Sequence, residues 1–106
     1  MLFQVKMALS IKIHKAYRTV VAICDSDILG KKFEEGIKQL DVRENFYNGE
    51  EKSESEILEL MKDFAMEDAT FNIAGKNSVN CALKAGIISK QGIKHVQGVP
   101  FALVLL

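Results

Sequence analysis

The chain has 106 residues, 48% hydrophobic and 26% charged, with a formal net charge of zero; this mix suits one folded domain over 1–106 and excludes a disordered chain. No apolar stretch reaches the ~18 residues that a membrane-spanning helix needs, so no membrane partner is expected, and a single proline argues against long linkers. The charges are segregated: +3 over residues 1–40, −7 over 41–68 and +4 over 69–106, with no acidic residue in that last segment.

The start, "MLFQVKMALSIKIHK", is apolar but interrupted by Lys6, Lys12 and Lys15. It lacks the basic opening and long apolar centre of a signal peptide, which makes a cytoplasmic location the expectation. Residues 9–16 alternate, with Leu9, Ile11 and Ile13 on one side and Lys12 and His14 on the other, a strand with one wet face. Residues 18–24, "RTVVAIC", are β-branched and read as a more buried strand. The short link near Tyr17 predicts an antiparallel hairpin that pairs Cys24 with a residue near position 10. Residues 37–42 form a third strand with Ile37 and Val42 inward, and Asn48-Gly49 is a turn signal because both residues accept positive φ.

Ser53 and Glu56 make an S-x-x-E capping box, followed by Ile57, Leu60, Met61, Phe64 and Ala65 on one helical face. Residues 70–74, "TFNIA", are a short apolar connection or strand. A second helix is predicted over 76–85 with Val79, Ala82 and Leu83 inward, Gly86 ending it and Ile87 giving the apolar contact of a Schellman motif. Two strands close the chain, "IKHVQ" and "FALVLL", linked through Gly98-Val99-Pro100. The element order predicts an α+β fold: a mixed or mostly antiparallel sheet of four to five strands with two helices on one face.

Four stretches, "VVAICDSDILGKKFEEG", "FYNGE", "NIAGKNSVNCALKAGII" and "VQGVPFALV", together resemble the archaeal family catalogued as domain of unknown function 424. The resemblance runs from about Met7 to the end and leaves residues 1–6 as an N-terminal extension. It implies a short, soluble, cytoplasmic archaeal protein and no established activity. The family's last motif resembles "GVPHA", whereas this chain has Phe101 after the proline, so any chemistry resting on that histidine is absent here.

Cys24 and Cys81 stand 57 positions apart with no CxxC pair, which excludes a zinc ribbon and points to two buried free thiols. In "CDSDILGKK" a nucleophilic Cys24 lacks a nearby base, because His14 falls far from it along the hairpin and the other histidine is His95. Asp25 and Asp27 lack the further carboxylates of a calcium loop, and Gly30-Lys31-Lys32 lacks the first glycine and the Ser or Thr of a phosphate loop. Structure accounts for more of these residues: Cys24 ends a strand, Asp25 or Ser26 caps a turn, and Gly30 lets the chain reverse. No metal and no cofactor is called for.

Three functional readings follow. The charge layout suggests a module for RNA or a ribonucleoprotein, with Lys12, Lys15, Arg18, Lys31, Lys32, Lys76, Lys90 and Lys94 as phosphate contacts. Alternatively, a small-ligand protein or enzyme would hold an anion at the helix start formed by Gly75, Lys76, Asn77 and Ser78, in a pocket with Asp25, Asp27, Gly30 and Asn72. Thirdly, the acidic helix over 53–66, with Glu54, Glu56 and Glu59, would meet a basic protein partner. Phe46 and Tyr47 adjoin the acidic segment and read as turn anchors; oligomeric state is open.

Overall fold

The computed structural model describes residues 8–105; the N-terminal extension assigned to residues 1–6 lies outside them. β1 (Leu9–Lys15) and β2 (Thr19–Asp25) form the antiparallel hairpin that the alternation predicts, with Ser10 opposite Cys24. β2 runs parallel to β6 (Thr70–Ala74), β6 antiparallel to β8 (Val99–Val104), and β8 antiparallel to β7 (Lys94–Val96). β5 (Glu50–Lys52) adds to the outer edge of β1, giving a six-stranded mixed sheet in the order β5-β1-β2-β6-β8-β7. The fold is α+β, with one more strand in the main sheet than the upper count expected.

Helices α2 (Glu54–Met66) and α3 (Lys76–Ala85) cover one face of the sheet. Leu9, Ile11, Val21, Ile23, Phe71 and Ile73 meet Ile57 and Met61 of α2 and Val79 and Ala82 of α3, all buried. Each large side chain buried here contributes about 1.5–3 kcal/mol. The Ser53–Glu56 capping box that starts α2 is complete. Gly86 ends α3 at φ 76°, and the Ile87 N–H reaches the Ala82 carbonyl at 3.2 Å, the Schellman bond.

The opposite face carries small side chains on its central strands, Ala22, Cys24 and Ala74. That leaves room for a separate two-stranded hairpin, β3 (Lys32–Glu35) with β4 (Lys38–Asp41), and for the short helix α1 (Glu44–Tyr47). Leu40, Val42 and Tyr47 are buried there.

Three details differ from expectation. β3 is three charged residues around a single apolar one, Phe33, too little for an apolar alternation, and Ile37, predicted inward, is fully exposed at the hairpin turn. Asn48 has φ −78° and Gly49 no positive φ; Gly49 is required instead because a Cβ would fall 2.1 Å from the Ile11 carbonyl oxygen. The last hairpin turns at Gln97 and Gly98, at φ 50° and 78°, so Val99 and Pro100 already belong to β8.

Candidate functional site

α1 is held by three alternate side chains of β1. The Ser10 hydroxyl donates to the Tyr47 carbonyl at 2.8 Å, Lys12 Nζ to the Asn45 carbonyl at 2.8 Å, and His14 Nε2 to the Phe46 carbonyl at 2.8 Å. These carbonyls end a one-turn helix and have no partner further along it. Because a carbonyl only accepts, His14 carries a proton on Nε2; in the neutral ring Nδ1 is then an acceptor. The His14 ring stacks on Phe46 with centroids 4.6 Å apart and planes 16° from parallel. The face of β1 that alternation marks as wet is therefore the seat of α1.

Beside α1 this sheet face is covered at Ala22 but stays partly accessible at Val20, Asn72 and Leu103. His14 and Val20 share one row, while Lys12, Ala22, Asn72 and Leu103 share the next. Leu103 is 57% exposed and Asn72 half-buried. His14, Phe46, Tyr47 and Asn72 line a cleft of about 480 Å³ together with Asp41, Arg43 and Asn45. Arg43 Nε donates to Asp41 Oδ2 at 3.0 Å, which balances the one acidic side chain of that lining. In the sequence His14 is no partner for Cys24, and Phe46 and Tyr47 read as turn anchors. Tyr47 is indeed buried, but the cleft joins residues more than 25 positions apart, beyond any local signal.

At the other end of the sheet, Asp25 reaches the start of α3. Its Oδ2 accepts from the Asn77 backbone N–H at 3.0 Å and the Asn77 side-chain amide at 3.1 Å. Its Oδ1 accepts from the Ser78 N–H at 2.8 Å and the Ser78 hydroxyl at 2.7 Å. The carboxylate makes no cap bond to the 3₁₀ turn Ser26–Ile28 that follows it; its cap is long-range rather than local. The positive end of α3 is thus filled by the chain's own anion, and a ligand anion there would have to displace it. Of the four residues grouped as a possible pocket, Asp25 touches α3, Asp27 and Gly30 lie exposed in the following turn, and Asn72 faces the opposite side of the sheet.

The basic residues fall into two groups. Lys15 and Arg18 sit at the β1–β2 turn, with Lys12 three rows further in along β1. Lys31, Lys32 and Lys76 follow the opposite ends of β2 and β6, about 20 Å away along a seven-residue strand. Lys94 opens β7 opposite Phe101, and Lys90 lies exposed in the 3₁₀ turn Lys90–Gly92 before it. In the acidic helix, Glu56 is engaged in the capping box and Glu59 is exposed.

Burial, with Asp25 and Asp27 adding repulsion, pushes the Cys24 thiol from 9.0 up to about 12, so it is no nucleophile at neutral pH. Burial likewise pushes up the Cys81 thiol. Both cysteines are free and buried. Among the described residues no three His, Cys, Asp or Glu side chains gather as a metal would require, and no helix is long and apolar enough to cross a membrane.

No curated protein matches the chain. A solved structure, that of an uncharacterized conserved protein from Methanopyrus kandleri, is similar over 92% of both chains, with a TM-score of 0.80 and 23% identity, a likeness of fold. Phe101, where the family motif resembles one with histidine, packs against the core beneath the β3–β4 hairpin. A family model described as "Protein of unknown function (DUF424)" matches residues 14–106, from the cleft histidine to the last residue, and the chain accordingly belongs to that family.

Proposed function

We propose that the chain is a binding module for single-stranded RNA that uses the cleft beside α1 on the second sheet face. The observation that carries this reading is the cleft in which the stacked His14–Phe46 pair meets Arg43, Asn45 and Asn72 on an open strand surface. Unpaired bases are bound by stacking on aromatic rings and guanidinium planes, with their edges met by side-chain donors and acceptors. A volume of about 480 Å³ suits one nucleotide and lies in the range of small-molecule sites. Lys12 stands on the same face, and Lys15 and Arg18, at the β1–β2 turn that ends it, supply further charge for the phosphates on either side of that nucleotide. Lys31, Lys32, Lys76, Lys90 and Lys94 lie further off and serve a longer strand.

Fluorescence anisotropy with mixed-sequence single-stranded RNA tests the reading. Binding should weaken steeply between roughly 50 and 200 mM salt. No salt-dependent binding to RNA across that range would overturn it.

A further inference from the structure

We infer that Asn72 is the residue that selects the base in this cleft, and that the base it selects is adenine. The inference rests on the RNA-binding reading and adds a specificity to it.

Asn72 is out of place by local preference. It stands in the middle of β6, a central strand, where asparagine is disfavoured. Its four neighbours on that strand, Thr70, Phe71, Ile73 and Ala74, are all buried. Asn72 alone in the strand is half-exposed: its row neighbour Ala22 is buried under Leu40, Val42 and Tyr47, whereas its other row neighbour Leu103 is exposed and Asn72 itself lines the cleft. No described residue hydrogen-bonds to its amide, and the amide is not among the buried polar atoms without a partner. An amide that the fold does not use is therefore displayed at the floor of the cleft.

The side-chain amide presents one acceptor beside one donor on a rigid plane. That edge pairs in a bidentate manner with the amino group and adjacent ring nitrogen of adenine. The neighbouring groups agree with a purine. The His14–Phe46 pair, whose rings lie face to face, leaves an outer ring face for one base, and the larger purine ring gains more from such a face than a pyrimidine does. The approach of Asn72 to a ligand is in the sheet plane's normal direction, as for any side chain standing on a strand, so base edge and ring face are contacted by different walls of the cleft.

The test compares A, C, G and U homo-oligonucleotides of equal length against the full chain and its Asn72→Leu and Asn72→Thr variants, with circular dichroism melts to verify folding. Threonine keeps strand preference, so at least one variant retains the sheet. The wild type should favour the adenine oligonucleotide by roughly 5- to 150-fold, the range of one bidentate base contact. A folded variant should bind all four alike, with the salt slope unchanged. Equal wild-type binding of the four, or an adenine preference that survives in a folded variant, overturns the role of Asn72 while leaving the RNA-binding reading in place. Absence of binding to all four overturns both.

Discussion

The Asp25 carboxylate lies 2.7 Å from the Ser78 hydroxyl and 2.8 Å from the Ser78 backbone N–H, joining the end of β2 to the first turn of α3 across 53 positions of sequence. With Asn77 it serves two orphan N–H groups of that helix, a task usually given to a residue just before the helix. Asp25 is 6% exposed and Ser78 fully buried, so removing the carboxylate leaves polar groups without solvent to replace it. Asp25→Ala should lower the unfolding free energy by about 2–4 kcal/mol. Asp25→Asn, which keeps an acceptor but loses the charge, should cost about half as much. Urea titrations of the three proteins check this; an Asp25→Ala loss below about 1 kcal/mol would show that the cap is not needed.

Gly75 enforces the same junction. It has φ 107°, and a Cβ there would fall 2.4 Å from Asp25 Cγ. Gly98 has φ 78° with nothing within 4 Å of the added atom, so it isolates the backbone cost. Gly98→Ala should destabilise by about 1–2 kcal/mol. Gly75→Ala should cost more than that, because backbone strain and collision with the cap combine. Equal shifts in melting temperature for the two variants would mean that Asp25 yields freely.

The contrast between these junctions and the helices marks what the sequence discloses. The Ser53–Glu56 box, the apolar face of α2 and the Gly86 ending of α3 are contained within a few consecutive residues, and each appears where its pattern lies. β5 is Glu50–Lys52, three charged residues that are a strand only because the edge of β1 pairs with them. β3 is a strand only through β4. Asp25 reads as a local cap from its neighbours, and only the parallel pairing of β2 with β6 brings it to α3 instead. The cleft is less legible still: His14 meets Phe46 across 32 positions, and Asn72 joins them through the sheet. Backbone pairing, rather than side-chain periodicity, assembles it.

Alkaline pH should destabilise the fold. Burial and the nearby Asp25 and Asp27 hold the Cys24 thiol at about 12 against 9.0, and burial holds the Tyr47 phenol at about 12 against 10.0. Both groups are raised on folding, so between these values the unfolded chain has released protons that the native chain retains. Stability contributed by the two neutral groups is complete below about pH 9, falls as pH rises, and is lost as pH passes about 12. Melting temperatures from pH 8 upward should decline, and Cys24→Ala should flatten the decline above pH 9.0. A wild-type curve no steeper than that of the variant would remove Cys24 from the account.

Charge and stacking in the proposed RNA site are separable by salt. Lys15 and Arg18 are exposed at the β1–β2 turn and make no ion pair among the described residues. If both contact phosphates, Lys15→Gln with Arg18→Gln should reduce the slope of log affinity against log salt by about two, roughly one per lost contact. Phe46 carries no charge, and its ring is half-buried against His14. Phe46→Ala should weaken RNA binding by about 1–3 kcal/mol with the slope unchanged, the signature of a lost stacking platform. The same slope in the double variant as in the wild type would place the phosphates elsewhere and move the bound strand away from this end of the sheet.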